Sequence, residues 1–157
     1  MQKIKTFLSY AEGAEEAVNL YVSLFPNSRI TATTRYGDAG PGPKGSVMTV
    51  AFELDGREYV ALNGGPHFTF TDGVSLLVTC ETQEELDRYW AKLSEGGQEV
   101  QCGWLKDRFG LSWQVVPSAL GQYLSDPDRE RSGRVFAALM KMKKLDIAGL
   151  KRAYEGR

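Results

Sequence analysis

The feature that most restricts what this chain can fold into is an internal repeat. Laying Ala11-Glu12-Gly13-Ala14-Glu15-Glu16 on Cys80-Glu81-Thr82-Gln83-Glu84-Glu85 brings Thr6 onto Ser75 and Tyr21 onto Trp90, a constant shift of 69 residues. In the first half, Ile4 to Tyr10 alternates as a strand. Glu12 to Glu16 then opens a helix, since carboxylates suit the positive end of a helix dipole, and Ala17, Leu20, Tyr21, Leu24 and Phe25 continue it at helical spacing until Pro26. Ser28 to Tyr36, Val47 to Leu54 and Glu58 to Asn63 read as strands. Asp55-Gly56 joins the last two as a tight hairpin, and the glycine- and proline-rich run Gly37 to Gly45 is a loop. The second half runs in the same order: strand Val74 to Cys80, a helix from Glu81 to Ser94 with Thr82 and Glu85 as a capping box, then short strands Gln98 to Gln101, Gly103 to Lys106 and Leu111 to Val116. Each half is βαβββ.

The predicted class is therefore α+β: two βαβββ modules, 1–67 and 68–117, followed by a helical extension, 118–157. In the extension Ser118 to Leu124, Arg129 to Lys144 and Asp146 to Tyr154 read as helices, and Leu139, Met140 and Met142 give an apolar face for core packing or a dimer contact. Nineteen Lys and Arg against twenty Asp and Glu leave a net charge of −1, without the basic excess of a nucleic-acid binder. No apolar run reaches the roughly 18 residues of a membrane span, and the N-terminus lacks the apolar stretch of a secretory signal, so the expected location is the cytoplasm.

The chain contains a single histidine, His67, and two cysteines, Cys80 and Cys102, without zinc-site spacing, which disfavours a Cys/His metal site. Both cysteines read as free thiols. Cys102 is a candidate nucleophile if Lys106 or Lys92 lies close enough to lower its pKa, and His67 is a candidate base at the mouth of a cleft. Trp104, Trp113, Phe68 and Phe70 are candidates to line an aromatic pocket. Glu53, Asp55, Glu58 and Asp107 lie near turns and read as solvated surface. Gly64-Gly65-Pro66 follows a strand but does not open a helix, so it reads as a connector rather than a nucleotide-binding turn.

Phe7-Leu8-Ser9-Tyr10, Ala61 to Pro66, Cys80 to Glu85, Cys102 to Asp107 and Gly110 to Pro117 resemble the PhnB-like branch of the vicinal oxygen chelate superfamily, which includes the glyoxalases and bleomycin-resistance proteins. The likeness is read over nearly the whole chain, Met140-Lys141-Met142-Lys143-Lys144 included. It implies paired βαβββ modules forming a cleft, a homodimer, and four strand residues holding a divalent metal. Members often carry the name demethylubiquinone 3-methyltransferase. By position the resemblance puts the ligands near Thr6 and Ser75, near Asn63 or Ala61, and on Gln114, which are neutral side chains poorly suited to a divalent ion.

The expectation is a small-molecule binding protein with a metal-less cleft and no cofactor. The alternative is an enzyme, either a methyltransferase or a glyoxalase-like lyase or isomerase. Strand alternation from the repeat predicts Thr6, Leu8, Asn63, Ser75, Leu77 and Gln114 as inward positions, flanked by Trp104, Trp113 and His67. These positions carry no Lys or Arg, so the expected ligand is uncharged or weakly polar. The expected partners are that ligand and a second copy of the chain, with no nucleic acid and no membrane.

Overall fold

The structure is a computed structural model that describes residues 2–157. The chain forms two compact units, one running through Phe70 and the other from Thr71 to Arg157. The first contains β1 (Thr6–Tyr10), α1 (Ala14–Leu24), β2 (Arg29–Arg35), β3 (Val47–Leu54) and β4 (Arg57–Asn63). The second contains β5 (Ser75–Cys80), α2 (Gln83–Ser94), β6 (Gln98–Glu99), β7 (Trp104–Lys106) and β8 (Ser112–Pro117), and then α3 (Leu120–Leu124), α4 (Arg129–Leu139) and α5 (Ile147–Glu155). The sheet orders are β1-β4-β3-β2 and β5-β8-β7-β6. In each, the first and last strands pair in parallel, as β1 with β4 and β5 with β8, while the other pairs are antiparallel. This is the α+β, twice-repeated βαβββ architecture, with the helical extension built into the second unit. Among the described residues no helix is long and apolar enough to cross a membrane.

Each helix covers one face of its own sheet. Ala14, Ala17, Val18, Tyr21 and Leu24 form the buried stripe of α1, and the Tyr21 hydroxyl lies 3.1 Å from that of Tyr10 on β1. In α2 the stripe is Leu86, Tyr89, Trp90 and Leu93, and the Trp90 indole donates to Glu99 at 2.5 Å. Thr82 caps α2, its hydroxyl accepting from the Glu85 amide at 3.2 Å, while Glu85 accepts from the Glu81 amide at 2.9 Å. The Asp55-Gly56 turn has positive φ at both residues, 49° and 77°, as a two-residue hairpin with right-twisted strands requires.

The repeat holds with a slip. The helices superpose at the shift of 69, with Ala17, Tyr21 and Leu24 falling on Leu86, Trp90 and Leu93, all buried. The first strands match at 70 and the last at 54: buried Tyr10 opposite Asn63 corresponds to buried Cys80 opposite Pro117. One residue fewer separates strand from helix in the second unit. Because side chains alternate along a strand, an error of one residue exchanges the two faces of the sheet.

The helix expected over 129–144 stops at Leu139. Residues 140–145 instead meet the β6–β7 connection, where Cys102, at φ 61°, and Gly103, at φ 82°, turn in the left-handed region. The Met142 and Lys143 carbonyls accept the Cys102 and Gly103 amides, each at 2.8 Å, and Leu145 is fully buried beside Gly103. These carbonyls, which lie past the end of α4, are satisfied by the β6–β7 connection, and this offsets the helical bonds given up by ending the helix at Leu139. Asp107 is also not at the surface. It is 3% exposed at the β7–β8 turn, and its carboxylate accepts the Phe109 and Leu111 amides at 2.9 and 3.0 Å and the Trp113 indole N–H at 2.9 Å.

Both cysteines are free. Burial pushes the Cys80 thiol up to about 12, with the nearby Glu85 carboxylate adding to the effect, whereas Cys102 is half-buried with its sulfur 3.6 Å from that of Met140. The thiolate is the nucleophile, so the native protein at pH 8 should react rapidly with Ellman's reagent at Cys102 alone and at both thiols in denaturant. Two equally fast thiols in the native state would contradict this packing.

Candidate functional site

The two faces of the second sheet differ in kind. Leu76, Val78 and Cys80 of β5 share a face with Trp113 and Val115 of β8 and Leu105 of β7, and α2 covers this face. The face turned away from α2 carries Ser75, Leu77 and Thr79 of β5, Ser112 and Gln114 of β8, Trp104 and Lys106 of β7, and Gln98 of β6. Leu77 is 58% exposed there, an unusual setting for a leucine in a regular strand. The Gln114 amide donates to the Ser75 hydroxyl at 2.9 Å. A hollow of about 210 Å3 opens along this face, lined by Asp72, Gln98, Val100, Trp104, Leu105, Lys106 and Ser112, and Lys106 Nζ lies 2.8 Å from Asp72 Oδ1.

Ser75, Leu77 and Gln114 thus come together as alternation predicts, with Trp104 flanking them, but Trp113 does not join them. It belongs to the opposite face and is 2% exposed, held by the indole bond to Asp107. The same correction applies in the first unit. Thr6, Leu8 and Tyr10 are opposite Tyr59, Ala61 and Asn63, on the face that α1 covers, and Leu8 is 4% exposed. Asn63 has a structural task there. Its side-chain oxygen accepts the Ala14 amide at 2.9 Å and its amide donates to the Val47 carbonyl at 3.1 Å. It serves the first amide of a helix whose own cap residue, Gly13, has no side chain to offer. On β1 and β4 the residues turned the other way include Phe7, Ser9, Val60 and Leu62, with Phe7 57% exposed.

His67 is exposed in the turn after Gly65 in the first unit. Gly64 and Gly65 donate to the Tyr10 and Ala11 carbonyls at 2.8 and 3.2 Å, extending the β1–β4 ladder. Their amides are engaged by backbone, as a connector requires and a phosphate cradle does not. Around Cys102 the nearby group is the Met140 sulfur, while Lys106 is committed to Asp72. Sequence reasoning missed Lys106, Ser112 and Asp72 as parts of one face. The signal was present in Trp104-Leu105-Lys106, where alternation places the lysine on the tryptophan's side.

The sequence matches the family model for 3-demethylubiquinone-9 3-methyltransferase over residues 2–116, almost three-quarters of its length. The chain belongs to this PhnB-like family, and its wider resemblance is to the vicinal oxygen chelate superfamily. The PhnB protein of Bacillus cereus is 41% identical, with 74% of this chain and 100% of that one aligned at a TM-score of 0.69. PA1353 of Pseudomonas aeruginosa shares the fold at 22% identity, over 74% of this chain and 98% of its own, with a TM-score of 0.62. So does the fosfomycin resistance protein FosX of Mesorhizobium loti, at 11% identity, 74% and 91% coverage and a TM-score of 0.51. No curated protein sequence matches the chain. The family match stops before α3, so the helical extension, including the Met140 to Lys144 run read as part of the likeness, lies outside it.

The divalent metal implied by this superfamily does not fit the side chains present. At the first-strand shift of 70 the first-unit counterpart of Ser75 is Lys5, and at the last-strand shift of 54 the residue matching Gln114 is Val60, one before buried Ala61 as Gln114 is one before buried Val115. An ammonium and a hydrocarbon replace two donors, and the remaining pair is neutral and already hydrogen-bonded to each other. Among the described residues no three His, Cys, Asp or Glu side chains converge. Hard divalent ions need anionic oxygen to offset dehydration. Elemental analysis of dialysed protein should therefore find well under one zinc, nickel, manganese or iron per chain. A stoichiometric ion lost on Gln114→Ala would overturn that expectation.

Proposed function

We propose that the protein is a cytoplasmic small-molecule binding member of the PhnB-like family, using the face of the second sheet turned away from α2 and no metal. The observation that carries this reading is the exposed Leu77 with the half-buried Trp104, Ser75 and Gln114 beside a hollow, on a sheet whose other face is packed with hydrocarbon. Binding sites commonly combine an apolar wall with a few placed polar groups, and this face provides both. The methyltransferase name of the family model finds less support in the geometry. Its sheets are mixed, and the one glycine pair that follows a strand has its amides engaged by backbone. A thermal-shift screen of small molecules tests the reading, since a ligand bound only by the folded state raises its melting temperature. Hits should weaken in Trp104→Ala and Leu77→Ser. Hits indifferent to both substitutions would place binding elsewhere.

The same reading includes a homodimer. Its support is apolar surface left on single elements: Phe7 is 57% exposed on β1, and Phe136 and Met140 are 54% and 53% exposed on and just after α4. Sedimentation equilibrium at micromolar concentration should give twice the 17.4 kDa chain mass. A single-chain mass at every concentration would refute the dimer.

A further inference from the structure

We propose that the ligand of this face carries a terminal oxyanion on an apolar stem, and that Lys106 receives the anion after releasing Asp72. The inference rests on the preceding assignment of the face and specifies the chemistry it selects. Of the strand residues on that face, Lys106 is the one that is charged. It is opposite Ser112 on β8 and Gln98 on β6, so an ammonium, a hydroxyl and a carboxamide stand in a row across three strands. All three line the hollow, and Trp104, on the same side of the same strand, supplies an apolar wall next to them. A cation with two neutral donors satisfies a carboxylate or phosphonate oxygen set, and an ammonium partly withdrawn from water beside an apolar wall calls for an anionic partner.

The structure shows such a partner in place. Asp72 reaches Lys106 from the exposed stretch Thr71 to Gly73, which precedes β5 and lies outside any strand or helix. Its side chain is 72% exposed, against 38% for Lys106. An ion pair this open contributes little to stability and its carboxylate is readily exchanged. Asp72 is therefore a tethered stand-in for the ligand's anion, and it sets a threshold that a ligand must exceed. This revises the sequence expectation of an uncharged ligand, which rested on positions that omitted Lys106.

Isothermal titration with phenylacetate, phenylphosphonate and the neutral phenylacetamide tests the proposal, with amide spectra of 15N-labelled protein recorded at each end point. Phenylacetate or phenylphosphonate should bind at least about tenfold more tightly than phenylacetamide, and Lys106→Met should remove that difference while Lys106→Arg keeps most of it. Asp72→Asn should tighten oxyanion binding by about threefold, because the competing carboxylate is gone. Preference for one anion over the other would identify carboxylate or phosphonate as the natural group. Equal binding of the amide and the anions, with shifts at Trp104 and Gln114, would overturn the anion requirement and leave the binding face intact. Absence of shifts on this face with any of the three would overturn the face assignment as well.

Discussion

Replacing Asp107 with alanine should lower the unfolding free energy by about 3–5 kcal/mol, as three donors lose their acceptor and each unsatisfied group costs about 1–3 kcal/mol. Sequence position alone makes Asp107 a turn carboxylate at the surface, and the structure makes it the acceptor around which the β7–β8 turn closes. The Leu111 amide and the Trp113 indole belong to residues only 2% exposed, so water would not replace the lost oxygen without opening the core. Its own amide donates to the Leu111 carbonyl at 2.9 Å, so one residue fixes both sides of the turn. Asp107→Asn should fall between wild type and alanine, because its amide nitrogen opposes one of the three donors. Urea denaturation followed by tryptophan fluorescence measures the difference. A loss below about 1 kcal/mol for the alanine variant would mean that the turn is solvated and the carboxylate dispensable. The consequence reaches the site, because the same turn sets Lys106 opposite Ser112.

The second large effect is expected in the extension, outside the family match. Leu145→Ala should cost about 2–5 kcal/mol, the range for a buried leucine whose surroundings cannot collapse around the cavity. Leu145 is fully buried, its carbonyl accepts from the Gln83 side chain at 3.0 Å, and the Gln83 carboxamide oxygen accepts from the Ile147 amide at 2.8 Å. One glutamine at the start of α2 thus binds the chain on both sides of Asp146. Val135 and Leu150 are buried from α4 and α5, and the Arg134 guanidinium donates to the Ala153 and Tyr154 carbonyls at 2.8 and 2.9 Å, closing the last turn of α5. A cooperative single transition that moves by several degrees in thermal unfolding is expected. If Leu145→Ala left that transition in place and only a small early phase changed, the extension would be an appendage rather than part of the second core.

Much of the fold was readable because its signals are local and redundant. The acidic helix starts, the Asp55-Gly56 turn, Pro26 and the Thr82 cap each constrain a few residues, and the acidic starts recur with the same order of elements in both halves. Face assignment was legible only where register was right. In the second unit, alternation from Ser75 gathers Leu77 and Gln114 correctly. In the first, the shift of 69 taken from the helices assigns Thr6 and Leu8 to the face opposite the one they occupy, since the first strands match at 70. Nothing in composition distinguishes these shifts, because Phe7 and Leu8 are equally apolar. The burial of Asp107, the helix-capping role of Asn63 and the carbonyl contacts just after α4 depend on partners from 2 to 49 residues away, and propensity does not encode them. Lys106 is legible by the same alternation, two residues beyond Trp104 on the same strand.

The account stands most directly on where a small molecule binds. Amide and indole spectra of 15N-labelled protein, recorded against a mixed library of neutral and anionic aromatic fragments, give that location residue by residue. The shifts are expected to cluster on Ser75, Leu77, Trp104, Lys106, Ser112 and Gln114, with the Trp104 indole responding and those of Trp90 and Trp113 unmoved. Shifts concentrated instead on Thr6, Leu8 and Asn63, or on the α4 and α5 helices, would contradict the assignment of the site to the second sheet.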